Sequence, residues 1–189
     1  MKHVLLAAVL GLSALVPALA HAQVAYAGAG AVRLEGPFNG ATKTAPKLFG
    51  GVELNDKYGF EIGLIRLPAA TLTTSSAGAP VPFSTARSMR SQTIYLAGKA
   101  TVPLTDRFGF VAKVGIAHTR NKMAVTVTPS ALAPGSMRST SDTGLYASFG
   151  LTYRLTDKVS LNVDLERSAR PRFDDGKRES ISISAGYRF

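Results

Sequence analysis

Ile181-Ser182-Ile183-Ser184-Ala185-Gly186-Tyr187-Arg188-Phe189 decides how this chain reads. Apolar or aromatic residues hold positions 181, 183, 185, 187 and 189, and Ser, Gly or Arg fills every position between them. A period of two puts each set on its own face of a β-strand. The same alternation runs through Leu145–Leu155, Val159–Leu165, Ile94–Leu104, Phe108–Ile116, Leu48–Asn55 and Tyr58–Leu64. A weaker, Ala- and Gly-rich version covers Gln23–Leu34. Eight candidate strands result, of a length suited to crossing a bilayer at a tilt.

A repeat fixes how they pair. Leu54-Asn55-Asp56-Lys57-Tyr58, Leu104-Thr105-Asp106-Arg107-Phe108 and Leu155-Thr156-Asp157-Lys158-Val159 are three versions of one tight turn. In each, the apolar face resumes four positions after it stops. Pairing Leu54 with Tyr58 leaves a three-residue loop and keeps both faces consistent. The Asp of each turn is expected to cap its backbone. The connections at 35–46, 68–90 and 120–142 are long and rich in Ser, Thr, Ala, Gly and Pro. The connection near 168–177 is shorter and charged. Short and long connections alternate, so all the long ones are expected as loops at one end.

A soluble β-sandwich also uses alternating strands. Here one face is almost wholly apolar and the other is polar, charged or Gly, which makes a poor shared core. Tyr58, Phe60, Phe108, Phe110, Tyr153, Tyr187 and Phe189 gather near the short-turn end, as in an interfacial aromatic girdle. An open sheet edge in lipid leaves backbone groups unpaired, so the sheet must close. The expected fold is all-β: an eight-stranded antiparallel up-and-down transmembrane β-barrel.

Composition narrows the function. The 189 residues carry 22 bases against 12 acids and no Cys. The absence of Cys excludes a disulfide scaffold, a Cys-based metal site and a thiol nucleophile. Met1-Lys2-His3 is basic, Val4–Ala20 is uncharged, and Ala20-His21-Ala22 is a small-x-small cleavage signature. Residues 1–22 thus read as a secretory signal peptide and 23–189 as one barrel domain. The uncharged run is shorter than the roughly 20 residues a spanning helix needs. Cleavage removes Lys2 and lowers the net charge from +10 to +9. An exported chain does not usually meet DNA, so the basic balance points away from nucleic acid.

The chain resembles the small eight-stranded outer-membrane barrels of the OmpA and OmpX type. The resemblance rests on Ala185–Phe189, Leu104–Gly115 and Leu155–Leu161 and covers the whole of 23–189. It implies a Gram-negative outer-membrane location, with the long loops facing outside. It also implies that Tyr187 and Phe189 are read by the barrel-assembly machinery. Roles in envelope integrity, adhesion or resistance to external attack follow from the same resemblance. The chain ends on this strand, so the peptidoglycan-binding domain of longer relatives is not expected.

By parity the inward charges are Glu53, Glu61, Lys99, Lys113, Arg154, Asp164, Glu166 and Arg188. The register sets Lys99 directly opposite Lys113, which requires acids from other strands between them. The set reads as a salt-bridge network filling the barrel; the alternative is a narrow porin-like channel lined by the same groups. No catalytic, cofactor or metal site is expected. His118 falls on the outer face with no adjacent Ser, and Asp174-Asp175 reads as a solvated turn. Gly28-Ala29-Gly30 is followed by Arg33 where a dinucleotide loop needs a third glycine. An external basic rim of Arg87, Arg90, Arg120, Lys122, Arg138, Arg167, Arg170, Arg172, Lys177 and Arg178 would meet the phosphates of lipopolysaccharide. A host or matrix ligand is the other partner considered for that rim.

Overall fold

The computed structural model describes residues 24–35, 42–76, 83–128, 135–168 and 179–189. Eight strands follow one another: β1 (Val24–Glu35), β2 (Thr42–Glu53), β3 (Tyr58–Ser76), β4 (Phe83–Pro103), β5 (Phe108–Thr128), β6 (Ser136–Arg154), β7 (Val159–Ser168) and β8 (Glu179–Arg188). Each pairs antiparallel with its sequence neighbours, and β1 pairs with β8 to close the barrel. The segment 1–22 read as a signal peptide lies outside the described residues.

Alternation sets the two faces. Leu96, Val114, Ile116, Leu145 and Ile183 are 52%, 61%, 58%, 66% and 61% exposed on the outer wall. A soluble surface does not carry so continuous an apolar band, so this wall faces lipid. Phe108 stacks at a tilt against Tyr153 with ring centroids 4.7 Å apart, and Tyr187 meets Phe189 edge-on at 5.4 Å. These rings lie at the short-turn end, as the girdle requires.

The three tight turns have the expected register. Leu54 N–H donates to Tyr58 O (2.9 Å), Leu104 N–H to Phe108 O (2.9 Å) and Leu155 N–H to Val159 O (2.9 Å). The capping residue differs from expectation. Asn55 Oδ1 accepts from the N–H groups of Lys57 and Tyr58, and the Thr105 and Thr156 hydroxyls accept from the equivalent pairs. The residue before each Asp is already placed to reach the amides two and three positions on.

The long connections are mostly strand. β2 begins at Thr42, and β3 to β6 run 19–21 residues each. β4 and β5 stay paired up to Ser84–Thr128, and β5 and β6 up to Val125–Ser136. β2 leaves β3 at Ile65, and β7 leaves β6 at Tyr146. A four-stranded sheet therefore rises above the closed barrel. Its strands carry no apolar alternation because water bathes both faces there, so the period that reveals a lipid-facing strand is missing. A bulge interrupts β3 between Leu67 and Ala70. Pro68 lies inside it, and without an N–H it cannot donate to the ladder.

Candidate functional site

The lumen is filled from four walls. Tyr26, Phe49, Tyr95 and Tyr146 point inward, and each is cross-strand partner to a glycine: Gly51, Gly28, Gly63 and Gly115 respectively. A Cβ on Gly28 would meet the Phe49 ring at 2.2 Å, and one on Gly63 would meet the Tyr95 ring at 2.3 Å. The glycines make room for rings that then lie across the barrel. Tyr95 and Tyr146 stack with centroids 4.2 Å apart. Toward the long-strand end Val32, Ala45, Leu67, Ala70 and Ala117 are buried together with the polar Ser91, Thr119 and Asn121.

Below the stacked tyrosines sits a buried charged layer. Glu61 accepts from Tyr26 Oη (3.0 Å), Tyr95 Oη (2.7 Å) and Lys113 Nζ (2.9 Å). Lys113 also reaches Asp164 Oδ2 at 3.5 Å. Lys47 bonds Glu166, which accepts a second bond from Ser182 Oγ at 2.6 Å. Both Lys47 and Asp164 are essentially inaccessible. Three carboxylates thus face two ammonium groups. Asp164 Oδ1 and Glu166 Oε2 have no hydrogen-bond partner among the described residues.

Lys47 was not among the sequence candidates. With the long connection read as 35–46 and the strand from Leu48, Lys47 falls between the two, although its parity with Phe49 and Gly51 marks it as inward. The inward set therefore has five bases against four acids. The expected facing of Lys99 and Lys113 is present in the register, and acids separate them. Lys113 serves the buried layer. Lys99 turns to Glu53 (2.9 Å), which also pairs with Arg188 nearer the short-turn end. Arg154 lines the same end without an acid partner among the described residues.

Among the described residues the basic rim gathers mainly on β3 to β6. Arg170, Arg172, Lys177 and Arg178 lie outside the described residues, as do Asp174 and Asp175. Arg87, Arg90, Arg120, Lys122 and Arg138 stand on strands rather than loops, all exposed. Arg90 and Lys122 are direct cross-strand partners. One row below, Arg66, Gln92, Arg120 and Ser141 lie side by side across β3 to β6. Arg90, Lys122, Arg66 and Arg120 share parity with the lipid-facing Ile94, Ile116 and Leu64, so they form one patch on the outer wall. Arg87 and Arg138 have the parity of the lumen face. The strand reading stops at Leu64 and the long connection starts at Pro68, so Arg66 belongs to neither in the sequence reading. Arg167 is exposed on β7, apart from the patch.

His118 is exposed on the outer wall, with Nδ1 2.7 Å from Thr143 Oγ1. Among the described residues no three His, Cys, Asp or Glu side chains are grouped to hold a metal ion.

A family model described as the outer membrane protein beta-barrel domain matches residues 4–189. No curated protein matches the chain. Similar solved structures include Ail, the attachment invasion locus protein of Yersinia pestis, at 16% identity, 88% of this chain, 97% of that one and a TM-score of 0.55. The N-terminal β-barrel domain of OprF from Pseudomonas aeruginosa aligns at 12% identity, the same coverage and a TM-score of 0.59. Neisserial surface protein A aligns at 13% identity, the same coverage and a TM-score of 0.58. At these identities the likeness establishes the fold. The closed eight-stranded barrel, its lipid-facing wall and the match along nearly the whole chain make this an integral outer-membrane protein that belongs to the outer membrane β-barrel domain family.

Proposed function

We propose that this chain is a non-enzymatic barrel that serves envelope structure and surface interaction, held in the outer leaflet by lipopolysaccharide phosphates. The observation that carries this reading is the patch of Arg66, Arg90, Arg120 and Lys122. It lies directly above the apolar band, on the wall that faces lipid. Guanidinium groups bind phosphate in a fork and so favour a phosphorylated glycolipid over a zwitterionic one. Residues 1–22 act as the export signal in this reading, and Tyr187 and Phe189 are read by the assembly machinery.

The sheet of β3 to β6 extends the barrel toward a host or matrix ligand. Ail was solved in complex with the heparin analogue sucrose octasulfate, and a sulfated polyanion is the alternative ligand for the patch. The narrow-channel reading is disfavoured by the buried charged layer and by the stacked Tyr95 and Tyr146 rings packed across the lumen above it.

The test uses the refolded barrel in detergent micelles, titrated with purified lipopolysaccharide, with a heparin fragment and with phosphatidylcholine. Saturable binding to lipopolysaccharide alone is expected, lost when Arg66, Arg90, Arg120 and Lys122 are all replaced by Gln. Equal binding by that variant would overturn the reading. Preference for the heparin fragment would replace lipopolysaccharide with a sulfated ligand.

A further inference from the structure

A vestibule opens into the barrel from the short-turn end and stops beneath the buried charged layer. Phe49, Val111 and the Lys113–Glu61 pair form its roof. Five basic side chains line it, Lys99, Lys113, Arg154, Lys158 and Arg188, against the three acids Glu53, Glu61 and Asp157.

These charges do not cancel locally. Glu61 and Asp164 absorb the ammonium of Lys113. Glu53 is shared between Lys99 and Arg188, so one carboxylate serves two cations. Asp157 and Lys158 are adjacent in the exposed turn and offset each other. Arg154 is left without an acid among the described residues. Its backbone is held by the bond from its N–H to Arg107 O at 2.8 Å, which fixes where the side chain starts. With the second carboxylate on Lys113 counted, one net positive charge remains, carried by Arg154 and the Lys99–Arg188 pair that shares Glu53, inside a recess with low-dielectric walls where field lines are focused rather than screened. Thr101, Thr152, Ser160 and Asn162 add neutral hydrogen-bonding groups to the lining. Gly186 keeps the wall beside Ser160 low, since a Cβ there would sit 3.2 Å from Ser160 Oγ.

We propose that this vestibule is a binding site for a small oxyanion, centred on Arg154 with Lys99 and Arg188 at its sides. Phosphate and sulfate are the expected class, because a guanidinium matches two of their oxygens at once and hydroxyl donors can take the others. The site is separate from the outer-wall patch. It lies at the other end of the barrel and does not depend on lipopolysaccharide.

The experiment titrates inorganic phosphate, sulfate and acetate into the full barrel in micelles, in chloride-free buffer, and follows the Nε–H resonance of Arg154 by NMR. Phosphate and sulfate should shift it saturably, and acetate more weakly. Arg154→Gln should weaken phosphate binding about tenfold or more, as loss of a charge-assisted bond implies, while the heat-dependent gel shift of the folded barrel persists. Asp157→Asn, an exposed turn change, should tighten binding by removing a competing acid. No saturable shift with phosphate, or equal affinity in Arg154→Gln, would overturn the proposal. So would an Asp157→Asn variant that binds more weakly than the parent.

Discussion

Replacing Lys47 with Met should destabilise the barrel by about 3–5 kcal/mol, the usual cost of leaving one partner of a buried ion pair uncompensated. Lys47 and Glu166 have side chains 0% and 2% exposed, so neither regains hydration when the other is removed. In the parent, three carboxylates already face two ammonium groups in this layer. The variant leaves Lys113 alone among Glu61, Asp164 and Glu166, and Glu166 keeps only Ser182 as a donor. The double variant Lys47→Met with Glu166→Leu removes the charge and its partner together. Exchange of a buried pair for packed apolar groups is often neutral or stabilising, so most of the loss should return. Equilibrium urea unfolding of the refolded barrel in lipid vesicles, read by intrinsic fluorescence and by heat-dependent gel mobility, supplies the four corners of the cycle. A single variant costing less than about 1 kcal/mol would refute the reasoning, since that is the value of an exposed pair. So would a double variant no more stable than Lys47→Met.

Other expectations follow from the same geometry. Tyr95→Phe removes one donor to the Glu61 carboxylate and should cost about 1.5–3 kcal/mol in the same unfolding assay. Gly63→Ala forces a methyl against the Tyr95 ring and should cost about 1–3 kcal/mol; pairing it with Tyr95→Ala should relieve the clash. Lys99→Glu sets a carboxylate beside Glu53, so it should lower thermal stability far more than it alters solute uptake into liposomes. Asn55→Ala strips the acceptor from two turn amides and should cost about 1 kcal/mol, measured against an Asn55→Thr control that keeps it.

What the sequence disclosed depends on where each residue sits. Inside the membrane, lipid on one side and packed polar groups on the other force a period of two. Ile181–Phe189 and Leu145–Leu155 could therefore be assigned to faces without coordinates. The three turns were legible because the apolar face has to resume in phase after each one. Above the membrane that constraint lapses. Thr71, Thr73, Thr126 and Thr128 have water on both sides, so strand reads there as loop. Lys47 and Arg66 escape the reading for a simpler reason: each lies just outside the apolar run by which its strand is recognised, which starts at Leu48 in β2 and stops at Leu64 in β3. The inward charges could be named by parity, but their pairing could not. Which acid reaches Lys113 depends on how side chains from β3, β5 and β7 meet across the lumen, and no local pattern encodes that. The one-sided patch likewise appeared only when β3, β4 and β5 were in register.

Single-channel recording on the purified barrel in planar bilayers tests the central claim, that the lumen is a structural plug and the protein acts through its outer surfaces. The account predicts no discrete conductance at any applied voltage, for the parent and for the Lys47→Met, Glu166→Leu double variant alike. Steady unitary steps from the parent, with an ion preference that changes when Lys113 is replaced by Met, would contradict it.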